Sequence, residues 1–503
     1  MSNTVTSSPP AARERRQGVN PWLVLVIACL AQFMVVLDIS VVNIALPRIQ
    51  NGLHFSASDL QWVVNAYTLV FGGFLLLGGR AADLLGRRRL FIAGVVLFSA
   101  ASLFNGLAQS SGMLIVGRGL QGLGGALVSP AALSIVTTTF TDGDQRTRAL
   151  GVWSAIAAGG AAAGLLLGGV LTDVASWRWV FFINVPVGIA TVALALRYVV
   201  ESRLQGVRRS YDVAGAVTVT VGLVVLVYAI VKAQSFGWGS ARTLGLGAAA
   251  VVLLGAFLWI ESRSEAPLMR LGIFRVRSLA VGDTSLLLVA SGMFGMFFFA
   301  SLYVQDILHY SPLKAGLAFL PVTAGIILGS GIAQGIIKRL GVRNVAAFGI
   351  TVATIGMLIL TRVPVHGSYV SNLLVGLIPL SLGLGLTFVP VTLLGTSGVA
   401  REDSGLASGL FNTAQQVGGS LGLAILSTIA ASHTSSILRA AGASVTAAQA
   451  AQARVSGYQD AFLAAAIMLA VGAVLLAVGL RRRHMREIEA ELAATDGVTV
   501  AAA

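Results

Sequence analysis

Apolar runs broken by short polar or basic segments account for most of this 503-residue chain. Fourteen are long enough to cross a bilayer as a helix, near 22–46, 60–79, 89–109, 112–139, 148–172, 179–200, 213–233, 243–260, 279–305, 315–337, 344–361, 369–397, 404–432 and 459–480. The pattern predicts an all-α integral membrane protein.

The polar segments divide the chain further. Tight basic turns follow spans 2, 4 and 10 (GRAADLLGRRR, TDGDQRTR, KRLGVR), whereas longer connections, ESRLQGVRRSYD and ESRSEAPLMRLGIFRVRS, flank spans 7 and 8. The expected organisation is a tail over 1–21, a six-helix half over 22–200, a two-helix insert with its loops over 201–278, a second six-helix half over 279–480, and a tail over 481–503. Internal repetition supports this division. Leu85, Gly86 and Arg88 after span 2 fall opposite Leu340, Gly341 and Arg343 after span 10, and Gly-rich span 5 is matched by Gly-rich span 13. Parallel halves around a central site are a common transporter plan.

Composition agrees: 56% of residues are hydrophobic, 11% are charged, and the mean hydropathy is +0.85. Soluble domains carry about 25% charged residues. The net charge of +14 raises the question of nucleic acid, but its distribution answers otherwise. With the N-terminus inside, the segments on that side hold 25 Lys and Arg, the opposite side holds 8, and Arg118 lies within a span. This positive-inside asymmetry places both termini in the cytoplasm and points to the lipid bilayer as partner. The first run is too long for a signal-peptide core and is read as a retained span. Cys29 is the only cysteine, so no intrachain disulfide forms. No Gly-Lys dipeptide occurs, hence no Walker A loop, and neither HExxH nor CxxC is present. No cofactor, metal or enzymatic activity is expected. The terminal RRRHMREIEAELAATDG reads as a stop-transfer cluster followed by a short charged cytoplasmic helix.

Against this apolar background the charges inside spans stand out. Asp38, within LDISVVNIALP, costs roughly 2.5–3.5 kcal/mol at mid-span on insertion scales. It is tolerated if it faces a wet cavity, pairs with a cation or binds a proton. Arg118, within GRGLQGLGGALVSP, is the other charge well inside a span. Asp38 precedes the expected outer end of span 1 by eight residues, about 12 Å, and Arg118 follows the outer start of span 4 by six, about 9 Å. The two therefore lie at similar depth. If spans 1 and 4 are neighbours, they interact directly or through Gln121 and water. A structural carboxylate pinned by a neighbour and an arginine snorkelling to the interface are the plainer readings.

Other residues carry weaker signals. Gly160, Gly164 and Gly168 fall at i, i+4 and i+8 of span 5, a smooth face that permits close helix approach. Asp83 sits among Arg80, Arg87, Arg88 and Arg89, an arrangement that makes ion pairs or simply sets topology. Asp283, four residues into span 9, is read as interfacial, with a proton-carrying role as the lesser alternative, and Asp59, Asp306 and Asp460 as external. The five histidines lie at or beyond span ends, and Trp62, Tyr67, Trp153 and Phe411 suit cavity lining, anchoring or packing equally.

These residues together resemble the fourteen-span drug:proton antiporters of the major facilitator superfamily, the EmrB/QacA type, over essentially the full chain. LDISVVNIALP resembles the span-1 motif, with Asp38 and Asn43 in register. GRAADLLGRRR resembles the cytoplasmic-turn motif, carrying Gly79, Asp83, Gly86, Arg87 and Arg88, and RGLQGLGGA resembles the span-4 motif, carrying Arg118, Gln121 and Gly122. WRWVFFINVPVG and SLYVQDILHYSPLKAGLAFLP are similar to further signatures. The antiporter motif of span 5 is matched at Gly151, Gly160, Gly164, Gly168 and Gly169, with Leu165 where the family has proline. Proline kinks a helix, so a straighter span 5 is expected.

The resemblance implies alternating access by two rocking halves in a monomeric unit, exchanging external protons for cytoplasmic lipophilic, often cationic, small molecules. It implies that Asp38 and Arg118 couple protonation to the cycle, with Asn43 and Gln121 supporting the cavity or the coupling. Asp83 and its arginines would latch the cytoplasmic side, and the span-5 glycines would form a sliding face between halves. A dedicated exporter of one metabolite or antibiotic is the first alternative. A proton symporter and a non-transporting sensor or scaffold follow.

Overall fold

A computed structural model describes residues 20–140, 143–202, 212–264, 267–396, 399, 403–442 and 444–480. The charged C-terminal helix expected beyond 480, and most of the N-terminal tail, lie outside these residues.

All regular structure among the described residues is helical, and fourteen helices are long and apolar enough to cross a membrane. They are α1 Pro21–Leu53, α2 Trp62–Leu85, α3 Arg87–Gly106, α4 Ser111–Thr139, α5 Gly143–Val174, α6 Trp179–Tyr198 and α7 Val213–Phe236. The second set is α8 Ala241–Arg263, α9 Arg277–Ile307, α10 Pro312–Leu340, α11 Val342–Leu360, α12 Tyr369–Thr396, α13 Ser404–Ala440 and α14 Ala447–Gly479. Polar caps start several of them. The Asn20 side chain accepts from Trp22 N–H at 2.9 Å, Ser110 accepts from Met113 N–H at 3.2 Å, and Thr446 forms a capping box with Gln449.

Several helices outrun their apolar runs, α1, α13 and α14 by the most. α14 begins at Ala447, before the expected 459, because AAQAAQARVSGYQD is polar yet rich in helix formers and is capped at Thr446. α1 continues through Pro47 to Leu53. Proline lacks the N–H that would bond the carbonyl four residues back, here that of Asn43. That carbonyl accepts instead from Ser301 Oγ on α9 at 2.8 Å, and the next one, of Ile44, accepts from Gln305 Nε2 at 2.9 Å. A helix interruption thereby becomes a polar contact between the first helices of the two halves.

Packing repeats along the chain. α1 packs on α4, α5 and α6, α2 on α4, and α3 on α4 and α6; α9 packs likewise on α12, α13 and α14, α10 on α12, and α11 on α12 and α14. The two sets meet where α2 faces α13, α5 faces α10 and α1 faces α9. α7 packs on α2 and α13, with α8 against α7, and Lys232 of α7 pairs with Asp59 before α2 at 2.8 Å. α5 and α10 touch chiefly at one end, where a Cβ on Gly169 would lie 2.8 Å from the Pro312 carbonyl and one on Gly316 would lie 2.5 Å from the Leu165 carbonyl. Nearer the end bearing Asn20 and Leu480, Gly151 and Gly335 have open space on their Cβ sides. α5 and α10 are thus in contact at the far end and not at Gly151 or Gly335.

The repeated turns do the same work in both halves. Gly86 and Gly341 each end a helix at positive φ, +115° and +79°. Two residues on, Arg88 donates to the carbonyls of Ala195 and Leu196 at 3.3 and 2.5 Å, and Arg343 donates to that of Leu480 at 2.9 Å. Each arginine thus satisfies carbonyls at the end of the last helix of its half, where cations are favoured. At Gly86 a Cβ would also lie 2.6 Å from Glu201 Oε1. Gly86→Ala is therefore expected to lower stability by about 1–2 kcal/mol, seen as a lower Tm in detergent. An unchanged Tm would refute this account of the turn.

Candidate functional site

Five helices converge on Asp38. It projects from α1 with no exposed surface, and Arg118 of α4 is only 1% exposed. The guanidinium Nη1 donates to Asp38 Oδ2 at 2.5 Å, while Gln121 Nε2 and Asn184 Nδ2 donate to Oδ1 at 2.7 and 3.0 Å. Arg118 and Gln121 share a face because they lie three residues apart on α4. Asn184 enters from the start of α6.

The supporting shell is polar. Arg118 Nε donates to the Val63 carbonyl of α2 at 2.8 Å, and its Nη1 also donates to Gln121 Oε1 at 2.8 Å. Asn105 Nδ2 of α3 donates to the same Gln121 oxygen at 2.8 Å. Ser102 Oγ accepts from Gln121 and Asn184 at 3.2 and 3.0 Å and donates to the Phe181 carbonyl at 2.9 Å. The Tyr67 ring faces the guanidinium with its centroid 4.4 Å away. A buried ion pair is sustained only when its remaining lone pairs and protons are satisfied, and this shell supplies bonds to both Asp38 oxygens and to Arg118 Nε and Nη1, while Asn105 Oδ1 and Tyr67 Oη stay without a partner among the described residues. Both carboxyl oxygens of Asp38 thus accept from side chains of other helices, Oδ2 from Arg118 and Oδ1 from Gln121 and Asn184.

The other sequence-predicted residues are distributed. Asn43 stands apart from Asp38; its side chain bonds the Ile39 carbonyl of its own helix at 3.1 Å, and its backbone carbonyl takes Ser301. Asp83 Oδ1 accepts from Arg87 Nε and Nη2 at 3.0 and 2.8 Å and from Ser134 at 3.4 Å, all within the first half. Arg88 turns to the end of α6 instead, and a Cβ on Gly79 would lie 3.6 Å from Pro130. Glu201, which sequence reading did not single out, accepts from the Arg88 and Arg89 backbone N–H groups, each at 3.2 Å.

Two expectations need correction. The face made by Gly160, Gly164 and Gly168 does not meet the second half. It lies on α1, with Cβ positions 3.3 Å from Phe33, 2.7 Å from Ser40 and 2.9 Å from the Val41 carbonyl. Gly169 alone of the motif glycines contacts α10, and Gly151 faces open space. The glycine spacing specifies a smooth face, not the helix laid against it. Asp283, expected at the interface, is buried at 6% exposure between α9, α12 and α13. Its position in its own helix said nothing of the neighbours that cover it.

Asn184, Ser102 and Asn105 were missed because they are uncharged. A signal existed: Ser102 and Asn105 are polar and three residues apart in an otherwise apolar run, and Asn184 lies in WRWVFFINVPVG.

A fourteen-helix bundle whose two sets of six helices repeat one packing plan, with an ion pair buried in the first, defines a polytopic membrane transporter. Residues 28–423 match the Major Facilitator Superfamily, and the chain belongs to that superfamily. It is 41% identical over 480 residues to the puromycin resistance protein pur8 of Streptomyces alboniger, covering 93% of each chain. It is 38% identical to the cephamycin export protein CmcT of Amycolatopsis lactamdurans (90% and 91% covered), and 35% identical to the multidrug resistance protein Stp of Mycobacterium tuberculosis strain H37Rv (83% and 77%). The fold is also that of a bacterial homologue of the human lysosomal transporter Spinster, solved inward-facing and unoccupied, at TM-score 0.64, 16% identity and 96% and 99% coverage.

Proposed function

We propose that this chain is a proton-driven antiporter that exports lipophilic small molecules from the cell. It works as a monomer, with both termini in the cytoplasm. The observation that carries the coupling is the buried Asp38–Arg118 pair with its Gln121 and Asn184 donors. Export rests on the relatives, which bear the names of antibiotic resistance and export proteins. The orientation rests on the concentration of Lys and Arg on the side of the termini.

On this reading the structure represents the inward-open state. Substrate enters from the cytoplasm while Asp38 is held by Arg118. Opening of the contact between α5 and α10 exposes the cavity to the outside, substrate leaves, and a proton binds Asp38 in place of Arg118. The halves then return and the proton is delivered inside. Asp83 with Arg87 would latch the cytoplasmic side in the outward-open state. Asn43 and Gln121 would support the cavity and the coupling, and Gly160, Gly164 and Gly168 would keep α5 tight on α1 so that they move as one body.

Inverted membrane vesicles with an acidic lumen, challenged with lipophilic cations and neutral antibiotics, test this reading. Substrate-driven proton release is expected from the native protein and not from equally expressed Asp38→Asn. Release that persists in Asp38→Asn would move the coupling elsewhere. A dedicated exporter is the second reading. It is favoured by the relatives named for single compounds, puromycin and cephamycin, and would respond to one member of the panel or to none.

A further inference from the structure

Asp283 is a buried ionisable group that the Asp38 centre does not use; Asp212 and Glu261 are buried as well, but each accepts from a backbone N–H, of Gly215 and Met269 respectively. Asp283 lies six residues beyond Arg277, about 9 Å along α9, and neither of its carboxyl oxygens has a hydrogen-bond partner. Its surroundings are apolar and tight. A Cβ on Gly395 of α12 would lie 2.9 Å from Asp283 Oδ1 and 2.9 Å from the Phe411 ring of α13, and the adjoining Gly282 packs on Leu394 and Gly395.

Among the described residues, no charge reaches it from the elements that pack on α9. α12 carries no charged side chain, and its Tyr369 is at the other end. The ionisable groups of α13 (His433, Arg439) and of α14 (Arg454, Tyr458, Asp460) also lie toward the opposite end, as do Tyr303 and Asp306 of α9 itself. Of the groups on α1, Asp38 is held by Arg118, and Cys29 and Arg48 make no bond to Asp283. On the turn before α9, Arg275 is exposed and Arg270 pairs with Asp403 at 3.1 Å, while Arg277 donates to the Gly479 carbonyl at 2.7 Å.

An ionised carboxylate without partners is costly in such a place, whereas its neutral form is far cheaper. No group of three or more His, Cys, Asp or Glu that could hold a metal occurs among the described residues. In the repeated packing plan α9 is the counterpart of α1. Each half therefore carries a buried acid on its first helix, Asp38 with a cation and Asp283 without.

We propose that Asp283 is a second proton-carrying carboxyl group, protonated while α12 and α13 enclose it. It gives its proton to water at the end of the termini when those helices part from α9. Only the carboxyl O–H bond breaks, leaving the carboxylate solvated. Its use in transport rests on the proton-coupled reading above; its protonation does not.

The test is an infrared titration of the protonated-carboxyl band in the purified full chain, with no substrate present. Among the bands of all its carboxyl groups, the native protein is expected to carry one component that Asp283→Asn removes and that a surface control, Asp144→Asn, leaves in place. An Asp283→Asn titration that superimposes on the native one overturns the proposal. Should Asp283→Asn fail to fold, Asp283→Glu should shift the frequency of one component, and an unmoved component overturns it equally. Loss of the Asp283 component, in a protein whose vesicles show no substrate-driven proton movement, would support the protonation while refuting the proposed antiport.

Discussion

Arg118→Met is expected to abolish substrate-driven proton exchange and to destabilise the protein by about 3–5 kcal/mol, the usual cost of removing one partner of a buried ion pair. The side chain of Met matches much of the aliphatic length of arginine, so the loss is mainly electrostatic. Asp38 would keep Gln121 and Asn184 as donors but lose its counter-charge, and the Val63 carbonyl would lose its side-chain donor. The second substitution makes the account testable. Asp38→Asn in the Arg118→Met background removes the stranded charge, so the double variant should recover most of the lost stability while remaining inactive. Thermal unfolding followed by intrinsic tryptophan fluorescence reads the stability, and the vesicle assay reads the exchange. A double variant no more stable than Arg118→Met would show that the pair is not the source of the loss. Arg118→Lys should fall between, since one ammonium cannot reproduce the fork that reaches Asp38, Gln121 and the Val63 carbonyl together.

Gly169→Leu acts on the conformational equilibrium. A Cβ at this position would sit 2.8 Å from the Pro312 carbonyl and 2.9 Å from Leu313 Cα, both backbone atoms of α10 that cannot swing aside. A leucine side chain is incompatible with the closed contact between α5 and α10, and compatible with the state in which they part. The variant should fold, lose export on the order of tenfold or more, and populate the outward-open state. The readout is labelling of Leu165→Cys by a membrane-impermeant thiol reagent from the outside, in a Cys29→Ala background. Leu165 is buried and its carbonyl lies against Gly316, so labelling should rise with Gly169→Leu. Gly255→Leu, at a position with open space on α8, should leave it unchanged. Equal labelling in all three proteins would mean that this contact does not control access.

The fourteen crossings were legible because apolar runs of bilayer length leave no alternative to helix in lipid. The doubling of the chain was legible as well: LLGRR and RLGVR form like turns, and Arg88 and Arg343 reach carbonyls at corresponding helix ends. Boundaries slipped where a helix ran past its apolar run, at Pro47 and before 459, because helix propensity and caps do not stop at the edge of hydrophobicity. The meeting of Asp38 with Arg118 could be anticipated from their depths, since two opposite charges at one level of a membrane have few other partners.

Uncharged partners escaped notice, since Asn184, Ser102 and Asn105 are unremarkable singly and gain meaning only when α3, α4 and α6 bring them to one carboxylate. The burial of Asp283 escaped for the converse reason: its distance from the start of its own span suggested an interface, and α12 and α13 cover it.

The sequence by itself determined the solvent, the number of crossings, the repeat and the costly charges. Each of these follows from transfer free energies and from spacings along one helix. Only the tertiary structure decided which helix lies on the glycine face of α5, which acid has a cation and which has none, and at which end α5 meets α10. Those are properties of pairs of helices distant in sequence, set by the fit of one surface against another.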